Sequence, residues 1–519
     1  MSLLRSIATV GGYTLLSRVT GFIRDILVAG MLGAGTVSDA FFVAFRFPNL
    51  FRRLFAEGAF QAAFVPLFAG LLETEGREEA RMFARRAFSV LAVILLVFTA
   101  TLEVFMPLAM VVFAPGFDAV PGKMELATEL TRIAFPYLLF ISLVSLQSGV
   151  LNSLGYFAAA AAAPILLNLT LIAALIGFSP MMETPGHALA WGVFAAGVIQ
   201  FAWLFWHCRR VGMTLWPAVP RLTARVRLLG KRIVPVVLGG SLYQINLLIG
   251  TILASLLADG AVSWLYYADR VTQLPLGVVG VAVSTALLPA LSRRLKAGDG
   301  EAAAHDQNRA LEVAVLFTLP AAAALMVIPG PVIGTLFERG AFSAVDTAAT
   351  AAALVAFASG LPSYVLVKIL AQAFFAREDT VMPVRIAAVA MGANIVLNVI
   401  LMQVWGHVGI ALAASLSNWG NALALAWVLR RRGHLPVDPR LRARLPRIGL
   451  ATALMSAVLW GGAWALADPL GAGDPWRPLA LAGLVIGGIA VYGVAAQVLG
   501  AARLGEVKGM LRRPRANAP

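Results

Sequence analysis

Apolar stretches recur along the chain at roughly 8–30, 38–56, 87–112, 131–153, 158–178, 188–208, 233–257, 264–292, 309–330, 350–375, 384–404, 408–429, 447–467 and 478–500. Spanning the hydrocarbon core takes about 20 predominantly apolar residues in a helix. The pattern therefore predicts an all-α polytopic membrane protein of about fourteen transmembrane helices, with both termini cytoplasmic. Polar positions interrupt it at a few places. Arg18, Arg24 and Asp25 fall inside the first stretch, Asp39 opens the second, and Asp269 and Arg270 lie in the eighth. A charge at the bilayer centre costs about 2.5–3.5 kcal/mol on the most lenient scale. Several are tolerable where they face a water-filled cavity, and a cavity with surplus arginine implies an anionic cargo. Residues 57–86 mix five acids with four bases and read as a solvated or interfacial stretch.

The pattern also repeats. Gly35-Thr36-Val37-Ser38 followed by Phe41-Phe42 returns as Gly260-Ala261-Val262-Ser263 followed by Tyr266-Tyr267. Leu167-Asn168-Leu169 returns as Leu397-Asn398-Val399, and Ala188-Leu189-Ala190 ahead of Arg209-Arg210 returns as Ala411-Leu412-Ala413 ahead of Arg430-Arg431. A repeat of about 225 residues with six spans keeps its orientation, so the halves are expected to be parallel repeats. The expected organisation is an N-terminal lobe at 1–208 and a basic linker at 209–232. A second lobe at 233–432, a basic loop at 433–446, two additional helices over 447–503 and a basic tail at 504–519 follow.

Composition agrees with the pattern: 60% of residues are hydrophobic and only 13% charged, where soluble proteins carry about 25% charged. The net charge of +15 is concentrated in loops. Residues 209–232 hold seven basic residues and no acid, and 430–447 hold seven against Asp438 alone. Counted across the spans, these loops fall on one side, which is the positive-inside pattern of cytoplasmic loops. The charge thus reports topology and contact with anionic lipid, and nucleic acid is not an expected partner. The single cysteine, Cys208, rules out an intrachain disulfide. No cleavable signal peptide is expected, because charges break the first apolar stretch.

On the first helix Ser17, Gly21, Arg24 and Val28 share one face, with Arg18 and Asp25 seven apart beside them. This stripe is either a cavity wall or a buried structural ion pair, Arg18 with Asp25 or Arg24 with an acid of another helix. Asp39 and Arg46 also lie seven apart with Asn49 near the same face, while Pro48 disturbs the phase before Arg52 and Arg53. Arg270 offers a planar fork suited to phosphate, with Asp269 beside it to orient it or simply to pair with it. Asn168, Asn394 and Asn398 suit interhelical hydrogen bonds. Lys368 and Glu103 stand alone in apolar runs and carry no assigned role. There is no GxxxxGK[ST] phosphate loop, the five histidines lack ligand spacing, and no metal or other cofactor is called for. The chain reads as a transporter and not an enzyme.

Three long strings then carry a resemblance. Ser17-Arg18-Val19-Thr20-Gly21-Phe22-Ile23-Arg24-Asp25, Ser38-Asp39-Ala40-Phe41-Phe42-Val43-Ala44-Phe45 and Pro48-Asn49-Leu50-Phe51-Arg52-Arg53-Leu54-Phe55-Ala56-Glu57-Gly58-Ala59-Phe60 closely resemble the MurJ (MviN) lipid II flippases. So do Ser263-Trp264-Leu265-Tyr266-Tyr267-Ala268-Asp269-Arg270 and Pro275-Leu276-Gly277-Val278. That family belongs to the multidrug/oligosaccharidyl-lipid/polysaccharide exporter superfamily. The resemblance implies two six-helix lobes around a central cavity plus two extra helices that form a groove for a polyprenyl tail. It also implies a carrier that moves lipid-linked peptidoglycan precursor from the cytoplasmic to the periplasmic leaflet of the bacterial inner membrane. Residues matching Arg18, Arg24, Arg52 and Arg270 would meet the substrate, with Asp39 and Glu57 also implicated. The peptidoglycan-synthesis machinery is a candidate partner. Some relatives bind sodium through an acid on the seventh helix, but 233–257 contains none. Membrane potential is therefore the expected driver, and sodium is not.

Two other classes compete. An efflux carrier for cationic drugs would want an acidic cavity, against the arginine surplus. A membrane transferase acting on polyprenyl phosphates would want a DDxxD-like cluster, which 57–86 lacks. The topology is testable directly. In a Cys208→Ser background, cysteines introduced into 209–232 and 430–447 should resist an impermeant thiol reagent in intact cells; labelling of either loop would overturn the orientation.

Overall fold

The computed structural model describes residues 3–55 and 59–502, all of whose regular structure is helical. Glu57 and the basic tail at 504–519 lie outside the described residues. Contacts divide the chain into two units, 1–263 with 340–342, and 264–339 with 343–519. The sequence repeat assigns 233–263 to the second half, whereas packing groups those residues with the first; the two divisions rest on different criteria.

The first unit contains α1 (Leu3–Leu32), α2 (Thr36–Phe55), α3 (Ala59–Thr74), α4 (Arg77–Val104), α5 (Met106–Phe113), α6 (Lys123–Ala134), α7 (Tyr137–Ser153), α8 (Phe157–Phe178), α9 (Pro185–Arg210) and α10 (Ala224–Ser255). α8 packs on both α1 and α9, and α2 on α6. Small residues permit close approach where lipid tails offer no hydrophobic drive. At Gly192 a Cβ would stand 2.8 Å from that of Ala174 on α8. α3 is a departure from the expected solvated stretch. Phe60, Phe64 and Phe68 are buried and stack along one face at 5.3 and 5.5 Å, and Phe83 of α4 stacks on the middle ring, Phe64, at 5.7 Å. Charges at 73–86 had masked the apolar run at 60–72 that precedes them.

The second unit continues from α11 (Ala261–Lys296), which crosses the contact boundary, through α12 (Gly300–Val327), α13 (Pro329–Phe337), α14 (Ala344–Ser359), α15 (Leu361–Phe375), α16 (Val381–Arg431), α17 (Pro439–Ala465) and α18 (Arg477–Val498). A straight 51-residue helix would run about 75 Å, far beyond a 30 Å hydrocarbon core. α16 breaks instead at Gly406, whose φ of 53° and ψ of −130° are non-helical, between the two spans that the sequence predicts. Among the described residues nine helices are long and apolar enough to cross a membrane, counting α16 once and joining α6 to α7 and α14 to α15.

Corresponding positions of the sequence repeat make comparable backbone clamps. In the first unit Arg85 Nε donates to Trp216 O (3.1 Å) and Ser89 Oγ accepts from the Ala218 amide (2.7 Å), so α4 holds the chain leaving α9. In the second, Asn308 Nδ2 donates to Pro436 O (2.7 Å) and its Oδ1 accepts from the Asp438 amide (3.3 Å), so α12 holds the chain leaving α16. Nearby, outside the spans, Asp379 is held below the usual carboxylate range by the Met382 amide and then by Arg432.

α17 and α18 join through reciprocal notches: Leu484 fills the space beside Gly462, and Leu459 that beside Gly488. Buried ion pairs tie the pair of helices to the rest of the unit. Glu312 of α12, 3% exposed, accepts from Arg309, Arg440 and Arg444, and Arg309 also reaches Asp438, the N-cap of α17. Arg477 at the start of α18 meets Glu338 at 3.3 Å. Between them, Tyr492 donates to Leu316 O at 2.6 Å. Removing one partner from a buried cluster strands the others. Glu312→Gln should cost on the order of 3 kcal/mol, read as a lower thermal midpoint of the purified protein; an unchanged midpoint would show that the arginines reach water.

Candidate functional site

The polar stripe of α1 is organised by Arg24. Its guanidinium is buried (6% exposed) and donates from Nε and Nη2 to Asp25 Oδ1 at 3.1 and 2.7 Å. Nη1 donates to Asn168 Oδ1 of α8 at 2.9 Å. Asn168 turns its amide nitrogen back to Ser17 O (2.9 Å) and Thr20 Oγ1 (3.3 Å). Gly21 makes room, since a Cβ there would lie 3.2 Å from Asn168 Nδ2. The interhelical bond expected of Asn168 is therefore present, and Asp25 neutralises its sequence neighbour Arg24. Arg18 is exposed and makes no ion pair among the described residues.

α2 carries the second group. Pro48 sits inside the helix, and Asn49 Nδ2 donates back to Phe45 O at 2.7 Å. Asn49 Oδ1 then accepts from Arg52 Nε at 2.9 Å, so helical phase does persist past the proline. Arg46 Nη1 reaches Thr251 Oγ1 of α10 at 2.5 Å.

Asp39 is the most completely satisfied of the predicted residues. At 1% exposure it accepts from Lys123 Nζ (2.8 Å), the Gly260 amide (2.8 Å), the Ser263 amide (2.8 Å) and Ser263 Oγ (2.6 Å). Lys123 Nζ also meets Asp259 Oδ1 at 2.5 Å and lies 4.3 Å from the centre of the Phe117 ring. Thr36 Oγ1 donates to Asp259 Oδ2 at 2.8 Å. Sequence reasoning missed Lys123 and Asp259. The available signal was the echo of Gly35–Ser38 in Gly260–Ser263: the two copies meet, with Ser263 Oγ within hydrogen-bond distance of Ser38 Oγ at 2.9 Å. Lys123 itself offered no local pattern.

In the second unit Arg270 donates from Nε and Nη2 to Tyr266 OH at 3.1 and 2.9 Å, with its guanidinium 5.0 Å from that ring. Asp269 accepts from Gln273 one turn on. Asn394 and Asn398, both buried, bond to each other along α16 at 3.0 Å. Among the described residues no group of three or more His, Cys, Asp or Glu could hold a metal ion.

Each unit thus carries arginines whose guanidiniums are held by neighbouring side chains: Arg24 by Asp25 and Asn168 and Arg52 by Asn49 in the first, Arg270 by Tyr266 in the second. The family model "Lipid II flippase MurJ" matches residues 28–471. The chain belongs to the MurJ family. Its relatives include the probable lipid II flippase MurJ of Rhizobium tropici, 43% identical over 99% of this chain and 98% of that one. The lipid II flippase MurJ of Burkholderia cenocepacia is 37% identical over 89% of this chain and 90% of its own. Among solved structures, a lipid II flippase MurJ in an inward closed conformation superposes with a TM-score of 0.79 at 25% identity, covering 97% of this chain and 99% of that one. An inward-facing multidrug MATE transporter of the MOP superfamily shares the fold, with a TM-score of 0.66 at 18% identity over 80% of this chain and 94% of its own.

Membership in the MurJ family agrees with the all-helical, duplicated architecture and with a transporter. The Lys123–Asp39 pair gives a sharp test. Lys123→Met should leave Asp39 short of its cation and cost about 3–5 kcal/mol. Adding Asp39→Asn should recover part of that loss, measured as thermal midpoint and as growth complementation at matched expression. Strictly additive losses would show that the pair is not coupled.

Proposed function

We propose that this chain translocates lipid II, the undecaprenyl-pyrophosphate-linked disaccharide peptide, from the cytoplasmic to the periplasmic leaflet of the bacterial inner membrane by alternating access. The observation that carries the reading is 43% identity, over essentially the full length of both chains, with a probable lipid II flippase. The arginines give it a physical form. A pyrophosphate and its sugars cannot cross about 30 Å of hydrocarbon unaided. Arg18 is exposed, and Arg52 and Arg270 are half-buried, with Asn49 and Tyr266 anchoring their Nε edges. Anchoring sets the side-chain orientation before the headgroup arrives and reduces the ordering cost of binding. Arg24 differs, because Asp25 already balances its charge. In this reading the pyrophosphate competes with Asp25 for that guanidinium, and the return of Asp25 helps to release it. Asp39 would play the same part for the cation beside it. The polyprenyl tail stays in lipid, alongside α17 and α18.

The energy source in this reading is membrane potential. An inside-negative potential opposes outward movement of the empty, cationic carrier and favours its return, worth about 2.3 kcal/mol per charge per 100 mV. Bound pyrophosphate cancels part of that charge on the outward stroke.

The experiment is a leaflet-accessibility assay for lipid II in cells depleted of the native protein. Arg18→Ala, Arg24→Ala and Arg270→Ala, at matched expression, should each reduce export, and Lys should restore it only in part because it lacks the bidentate fork. Full export by all three alanine variants would sink the arginine assignment. Export should survive in sodium-free medium and fall when an ionophore collapses the potential; the opposite pattern would identify sodium as the coupling ion.

A further inference from the structure

α9 and the second half of α16 end in the same device. Arg210 stands 3.7 Å over the ring of Trp206, one turn back along α9. Arg431 stands 4.1 Å over the ring of Trp427, one turn back along α16. Both tryptophans are exposed, at 43% and 54%, and so are both arginines and their neighbours Arg209 and Arg430. None of these four arginines meets an acid among the described residues. On each helix exposed apolar positions lead to the tryptophan: Ile199 and Ala202 before Trp206, Leu416 and Leu423 before Trp427. The two pairs stand at corresponding positions of the sequence repeat.

We propose that each Trp–Arg pair, with the arginine preceding it, is a binding site for the headgroup of an anionic phospholipid, one site per half of the molecule. The parts fit a lipid in order along the helix. The exposed aliphatic positions take an acyl chain, and the indole sits at the depth where amphipathic rings concentrate. The guanidinium just beyond it meets the phosphate. Stacking on the indole fixes the plane of the guanidinium and leaves its N–H edges directed outward, the arrangement that suits bidentate phosphate contacts. Two uncompensated arginines per site favour a headgroup with net negative charge over a zwitterionic one. A diffuse basic loop would supply the same charge without the stacked ring, so the tryptophans discriminate a site from general electrostatic attraction.

The test uses the full-length protein, delipidated in detergent and free of lipid II, with bound lipid counted by native mass spectrometry. Phosphatidylglycerol should be retained in preference to phosphatidylcholine, with two tightly held copies, and inorganic phosphate should not compete at equal concentration. Trp206→Ala combined with Trp427→Ala keeps every charge and should weaken retention about two- to fivefold per site. Arg210→Gln combined with Arg431→Gln should abolish the preference. Arg221→Gln combined with Arg442→Gln, exposed arginines without a stacked ring, should leave it intact. Equal retention of the two lipids would overturn the proposal, as would competition by phosphate alone. So would an equal loss in the control variant, or undiminished retention in the tryptophan variant. Should the alanine variant fail to fold, Trp206→Phe with Trp427→Phe keeps a weaker ring face and should show an intermediate loss; retention equal to the parent would then count against the site.

Discussion

A charge removed from water must take its compensation with it, and that constraint organises this molecule. The desolvation cost of a buried ion amounts to several kcal/mol even after relaxation. Three deeply buried charges accordingly carry built partner sets. Arg24 has Asp25 and Asn168, Asp39 has Lys123 and three donors from Gly260 and Ser263, and Glu312 has three arginines. These sets also join helices, because few of the partners come from the same element. Asn168 brings α8 to α1, Lys123 brings α6 to α2, and Glu312 brings α17 to α12.

The same chemistry that stabilises such a set suits it to switching. A buried ion pair contributes little net energy over a well-packed apolar contact, but separating its partners without replacement is costly. In the proposed cycle an anionic headgroup beside Arg24 would offer that replacement, and Asn168, which complements the guanidinium without charge, would stay bonded during the exchange. Asn49 and Tyr266, both neutral, likewise help to orient Arg52 and Arg270.

At corresponding positions of the sequence repeat the chain is held in similar ways by different side chains. The clamp on the chain leaving α9 uses Arg85 and Ser89, while its counterpart leaving α16 uses Asn308. The geometry of holding an extended segment by its backbone survives, although the side chains differ. At Gly35–Ser38 and Gly260–Ser263 the copies are still alike, and there they meet each other.

Much of this was readable in the chain alone. Apolar length is a local property, so the all-helical class, the break near Gly406 and the unusual charges of α1 and α2 followed from spacing. The long strings around Arg24, Asp39 and Arg270 led to the family for the same reason. What spacing cannot supply is the choice of partner. Helical phase left Arg18 or another helix's acid as partners for the charges of α1, whereas Asp25 pairs with the residue beside it. Lys123 is 84 residues from Asp39 and looks like any helix-end lysine until the fold encloses it. The burial of α3 was equally hidden, because charges just downstream outweighed its phenylalanines until α4 and α7 covered them. Pairing and burial depend on distances between elements far apart in the sequence, and only tertiary packing sets those distances.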